Sequence, residues 1–274
     1  MQRMFCLNVK LHVVLKSLLF CIVFTGLLIV FSFLKAFIPV KYERFAYAAI
    51  GTGVAFLTTY LFLCYDKKSF SDIGLNIENS TIIKFIVGIL TGIFLMGLMV
   101  LAVIYFSNFR IELNNNSNFI NFLFWTSPLI FLSLMEEIGF RAYPLVLLKN
   151  KLGVRSSILI TSILFALYYI ANGWTFVGSF LGPGTCGIIF GLAAIYSKGI
   201  AMPTGIHYAF NLTSSAFGIS NQSFNIWVLK QSNGSSLENY QNSEINEFLP
   251  QIALLIVGIS CMEYVVRRKV SAHV

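Results

Sequence analysis

Charge is what this sequence has least of. Only 11% of its 274 residues are Asp, Glu, Lys or Arg, against 57% hydrophobic ones, and the mean hydropathy is +0.79. That composition excludes a water-soluble domain, which would have too little polar surface to cover itself. Cysteine is sparse as well: Cys6, Cys21, Cys64, Cys186 and Cys261 are scattered without paired spacing, so neither a disulfide framework nor a zinc cluster is indicated. The only histidines are His12, His207 and His273, two of them near the termini. A two-His-plus-carboxylate metal site would lack a ligand, and H-E-x-x-H is absent. No metal or other cofactor is therefore expected. No internal helix repeat is visible, which argues against the duplicated halves of many transporters. Nor is there an aromatic-rich basic motif. The net charge of +8 reads as a topology signal plus attraction to anionic headgroups, without a nucleic-acid partner.

What is present is a series of apolar runs, at about residues 13–34, 45–64, 82–106, 119–148, 156–172, 176–197, 200–217 and 248–266. Most are long enough for a hydrocarbon core about 30 Å thick. The reading is an all-α polytopic membrane bundle of about eight transmembrane helices. The run at 119–148 exceeds one span and is expected to tilt, or to bend near Ser127-Pro128 or at Pro144. Eight spans put both termini on one side, together with thirteen of the 19 Lys and Arg residues; the other side receives five, Lys35, Lys41, Arg44, Arg110 and Lys230. Basic residues collect in cytoplasmic loops, so both termini are expected in the cytoplasm of a cell-membrane protein. Arg3, Lys10 and Lys16 precede the first run with no small-x-small cleavage site close behind, which reads as a retained first span. Residues 66–80 form a polar connection that has room for a short surface helix. Residues 108–119 read as a plain external loop, and residues 220–248 as a long external one with the option of a lid.

Against this background the stretch "FLSLMEEIGFRAYPLVLL", residues 131–148, stands out. A charge at the bilayer centre costs about 2.5–3.5 kcal/mol on insertion scales and ordinarily faces a polar cavity or another charge. Glu137 and Arg141 are four apart on one helical face and suit an ion pair. Glu136 lies about 100° around the helix and has no local cation, which makes it the candidate general base; a polar staple for the bundle is the alternative. In "PTGIHYAFNLTSS", residues 203–215, His207 and Asn211 share a face. They can donate to a developing oxyanion or bond across helices. In "TSILFALYYIANGW", residues 161–174, Phe165 and Tyr169 share a face that periodicity alone assigns to ordinary packing.

Together these stretches resemble the CAAX prenyl endopeptidase and bacteriocin-processing (CPBP, or Abi) proteins. "EEIGFR" is similar to their E-E-x-x-x-R motif, "HYAFN" to H-x-x-x-N, and "FALYY" falls where they have F-x-x-x-H. The resemblance covers about residues 66–217 as the core; residues 1–65 carry two N-terminal helices, and residues 218–274 the external loop and the last helix. It implies an intramembrane endopeptidase acting on a peptide or a membrane-anchored protein in the bilayer. Glu136 would activate water, Glu137 and Arg141 would shape the site, and His207 and Asn211 would hold the oxyanion. Tyr169 stands where the pattern has His. A phenol cannot replace an imidazole as proton acceptor at neutral pH, although it can position water. The alternative is accordingly a non-catalytic member, a membrane scaffold or immunity protein; a proton-coupled transporter is a third class.

Overall fold

The computed structural model describes residues 2–106, 109–219, 224–231 and 249–271. His273 and residues 220–223 and 232–248, with the lid considered there, lie outside the described residues. The chain runs through α1 (Gln2–Ser32), α2 (Glu43–Asp66), α3 (Thr81–Phe106), β1 (Phe109–Leu113), α4 (Phe119–Thr126) and α5 (Pro128–Glu137). It continues through α6 (Tyr143–Ala171), α7 (Phe176–Ser179), α8 (Thr185–Ser197), α9 (Ala201–Ala216), β2 (Trp227–Gln231) and α10 (Leu249–Ser271). The helices are built for lipid. In α1, Val13, Ser17, Phe20, Phe24 and Leu28 are buried, while Leu15, Leu19, Ile22, Ile29 and Val30 point outward. Such an exposed apolar face would be untenable in water and is normal against acyl chains.

Each of the eight expected apolar runs lies in helix, but among the described residues six helices are long and apolar enough to cross a membrane by length and composition. The difference has two physical sources. The fourth and fifth runs are continuous, residues Phe119–Ala171, and are divided only by a kink at Gly153, whose φ of 81° breaks the helix where a side chain would be strained. The seventh run is α9, 16 residues or roughly 24 Å, short because it is enclosed by protein.

The anticipated bends are present as changes of helix type. A break at Ser127 separates α4 from α5, with Pro128 at the first helical position, where its missing N–H costs nothing. Beyond α5 the chain widens into a π-helical turn, Ile138–Ala142, immediately before Pro144. Pro144 has no N–H to give and would press on the Phe140 carbonyl in a regular α-helix. The wider turn removes that clash. A second π-helical turn, Phe180–Gly184, contains Pro183 and joins α7 to α8.

Two expectations for the loops are refined. Within 66–80, Ser69 and Asp72 form a capping box on a single 3-10 turn, Phe70–Ile73. The presumed plain loop at 108–119 contains β1, which pairs antiparallel with β2, Phe109 opposite Gln231 through Leu113 opposite Trp227. The alternation Phe109-Arg110-Ile111-Glu112-Leu113 was a strand signal. Asn114 Nδ2 donates to Asn225 Oδ1 at 2.7 Å, and Ile226 N to Ala216 O at 3.0 Å, which ties this ribbon to the C-terminal end of α9.

The placement of α9 depends on glycine. Gly88 and Gly92 of α3 face Gly205, Ile206 and Ala209 of α9, so closely that a Cβ on Gly92 would sit 2.7 Å from the Ile206 carbonyl oxygen. A Cβ on Gly88 or Gly205 would overlap the facing backbone outright, at Met202 O and Phe85 O. Small residues let membrane helices approach to backbone contact. We expect Gly88→Ala and Gly205→Ala each to lower stability by about 1–3 kcal/mol, the usual cost of overpacking. Gly97→Ala on the same helix, where a Cβ meets nothing within 4 Å, serves as the matched control. Thermal unfolding in detergent reads the contrast, and equal midpoints for all three would refute this account of the interface.

Candidate functional site

The π-helical turn presents the motif side chains. The backbone of Ile138–Ala142 is almost wholly enclosed, and Gly139 is required there because a Cβ would stand 2.7 Å from the Phe24 ring of α1. Glu137 and Arg141 are 0% and 1% exposed, and Arg141 Nη1 meets Glu137 Oε1 at 3.3 Å. The expected ion pair is thus present. It is not alone, since His207 Nδ1 reaches the same Oε1 at 2.8 Å. Glu137 is held from two helices by groups that converge on one oxygen.

Aromatic faces supply the rest of the guanidinium's environment. The Arg141 Cζ lies 4.1 Å from the Phe165 ring centre and 5.3 Å from that of Phe190, distances at which the negative face of a ring attracts a cation. Gly187 of α8 makes room, since a Cβ would be 3.1 Å from Arg141 Nη2. Arg141 Nε and Nη2 and Glu137 Oε2 have no hydrogen-bond partner, so the ring contacts and the ion pair carry the compensation. Phe190 also stacks on His207, 4.6 Å between centroids at 17°.

Glu136 is at the edge of this cluster and differs in its surroundings. Its Oε2 accepts a hydrogen bond from the Tyr169 hydroxyl at 3.1 Å and lies 3.5 Å from His207 Nε2. Unlike Glu137, Glu136 lines a cavity of about 300 Å³. Arg44, Tyr47, Tyr169, Asn172, Asn211 and Ser214 are among the other lining residues. The cavity is bounded by the N-terminal ends of α2 and α5 and the C-terminal ends of α6 and α9, the end of the bundle at which the β1–β2 ribbon is attached. Asn211 Nδ2 donates to Ser133 Oγ at 3.2 Å, leaving its second amide hydrogen for the cavity.

All six sequence-derived candidates, Glu136, Glu137, Arg141, Tyr169, His207 and Asn211, are brought together, though in two layers. Glu136, Tyr169 and Asn211 line the cavity; Glu137, Arg141 and His207 stand behind Glu136. Sequence reasoning missed Ser133, which lies one helical turn ahead of Glu137 and was detectable by that spacing. It also missed Tyr47 and Arg44 of α2, which nothing in the local sequence connects to a motif more than 80 positions away. Among the described residues, no group of three or more His, Cys, Asp or Glu side chains is arranged to hold a metal ion. Chemically, a carboxylate in the wall of a small cavity, with hydroxyl and amide donors beside it, can orient a water and accept its proton.

Residues 118–213 match the family described as Type II CAAX prenyl endopeptidase Rce1-like. No curated protein matches the chain. The matched segment begins at Asn118, whose side chain caps α4, and ends just past Asn211, so it contains the whole buried cluster. Through that segment the chain, a multi-pass membrane protein, is similar to the CAAX prenyl protease family of endopeptidases.

Proposed function

We propose that the chain is an intramembrane endopeptidase that hydrolyses a peptide or membrane-anchored protein with water activated by Glu136. The observation that carries this reading is the position of the Glu136 carboxylate in the cavity wall beside Tyr169 and Asn211. Water held against Glu136 loses a proton to it and attacks the substrate carbonyl carbon. The free amide hydrogen of Asn211 faces the oxygen that gains charge, and the proton on Glu136 returns to the leaving nitrogen. No bound metal is required for these steps, and the residues named supply each of them.

The membrane orientation follows the basic residues. With both termini cytoplasmic, Lys149, Lys151, Arg155 and Lys198 lie at the end of the bundle away from the cavity residues Asn172 and Ser214, and the cavity is on the non-cytoplasmic side. A cysteine introduced at the cavity residue Asn172, in a protein whose native cysteines are replaced, should react with a membrane-impermeant maleimide added outside sealed cells. A cysteine at Lys198 should not. The reverse labelling pattern would overturn the orientation.

One observation favours a second reading. The phenol of Tyr169 occupies Oε2 of Glu136, and a site so capped suits a non-catalytic family member that serves as a membrane scaffold or bacteriocin-immunity protein. Under the peptidase reading, Glu136→Gln lowers cleavage of a susceptible peptide by about 10²–10⁴-fold. Asn211→Ala lowers kcat by about 10²–10³-fold, the scale of a lost oxyanion donor. If the wild-type protein cleaves nothing, Tyr169→His creates cleavage, and Glu136→Ala leaves partner capture intact, the second reading stands instead.

A further inference from the structure

We propose that Ser133 is a positioning residue, which seats the Asn211 carboxamide at a set place beside the Glu136 carboxylate. The inference rests on the peptidase reading and deepens it by assigning a part to a residue outside the motifs. Ser133 is 0% exposed and lies behind the cavity wall that Leu129, Leu132 and Glu136 of α5 form with Asn211. Its Oγ accepts a hydrogen bond from Asn211 Nδ2 at 3.2 Å. Ser133 and Glu136 are three positions apart in the helix Pro128–Glu137, hence about 4.5 Å apart along its axis and on the same side of it. The carboxylate and the seat of the amide are therefore fixed on one rigid element, although the amide itself comes from α9.

The bond differs from those that other buried hydroxyls of the bundle make. Thr58, Thr126, Thr161 and Thr204 each donate to the carbonyl four residues earlier in their own helix, a local bond that satisfies a hydroxyl without involving a neighbour. Ser133 instead receives a side chain from another helix. That contact is not needed to join α5 to α9, because Glu137 Oε1 and His207 Nδ1 already do so one turn further on, at 2.8 Å.

What the bond does is choose a rotamer. Asn211 borders the cavity, and the last torsion of an Asn side chain is broad, so an untethered amide would point in several directions. With one amide hydrogen on Ser133 Oγ, the plane of the carboxamide is set and the second hydrogen is turned toward the cavity. Ser215 Oγ donates to the main-chain carbonyl of Asn211 at 2.8 Å, so the residue is tied at its backbone as well as at its tip. A donor that is already aimed needs no reorganisation when charge develops on the attacked carbonyl oxygen. Ser133 does not meet the substrate; it acts through Asn211.

A double-mutant cycle on the cleavage of short apolar peptides tests this. Ser133→Ala should lower kcat by about tenfold or more, the scale of a slightly misplaced group, while KM stays within about twofold. In an Asn211→Ala background the same change should alter kcat by less than about twofold, because the group that Ser133 positions is gone. A bond that only holds two helices together would give equal losses in both backgrounds. The second probe is a phosphonate analogue of such a peptide, whose tetrahedral anionic oxygens mimic the attacked carbonyl; Ser133→Ala should bind it about tenfold more weakly or worse. Ser133→Cys, which fills the same space with a weaker acceptor, should follow the alanine pattern and serves if that variant does not fold, as judged by its unfolding midpoint. A smaller fall in kcat for Ser133→Ala, or a loss as large with Asn211→Ala as without it, overturns the inference and leaves the peptidase reading standing. A wild-type protein that neither cleaves peptide nor binds the phosphonate overturns both.

Discussion

The Glu137 carboxylate lies inside a protein that itself lies in lipid, and Oε1 alone receives both Arg141 and His207. An isolated charge so far from water would cost several kcal/mol even after relaxation, and the deficit is made up here by partners from the π-helical turn and from α9. Removing either partner would leave an uncompensated charge, which is more damaging than never having had the pair. The surrounding helices are therefore not free to slide. α6 and α8 must deliver Phe165 and Phe190 to the guanidinium, and α9 must bring His207 to within hydrogen-bond reach.

Backbone geometry makes that delivery possible. The glycines of α3 and α9 let the two helices touch, which brings His207 and Asn211 toward α5. Gly139 lets Phe24 of α1 close over the π-helical turn, and Gly187 leaves a place for the guanidinium. The turn itself exists because Pro144 cannot follow a regular α-helix without a clash. A wide turn rotates the residues after it relative to those before, so the proline that seemed only to bend a long span also aims the motif. Behind it, Tyr143 donates to Asp66 Oδ2 at 2.8 Å, and Lys16 pairs with the same carboxylate, fastening α1 and α2 to the start of α6.

Much of this was readable from residue order alone. Composition and run length specify a polytopic helical membrane protein, because a bilayer demands long apolar helices of almost any tertiary arrangement. The Glu137–Arg141 pair was legible because four residues make one helical turn, a local property that survives the π-helical widening. The number of crossings was less legible: a run does not disclose whether it meets lipid or protein, and α9 is short because it meets protein. The β1–β2 ribbon was missed although β1 alternates by two, since its partner lies more than 100 residues away and a five-residue strand means little until it is paired.

Residue types and helical spacing, then, determined by themselves that the chain is membrane-embedded, that three ionisable groups cluster on one span, and which side chains resemble the motifs of the matched family. Those are properties of one helix at a time, and the 3.6-residue period transmits them without help. Only the tertiary structure decided that Glu136 faces the cavity while Glu137 does not, that Tyr169 caps Glu136, and that His207 stands behind the carboxylate rather than over it. These depend on how helices distant in sequence are rotated against one another. That rotation is set by glycine contacts, proline-driven π-helical turns and the desolvation of a single carboxylate, none of which a single segment reveals.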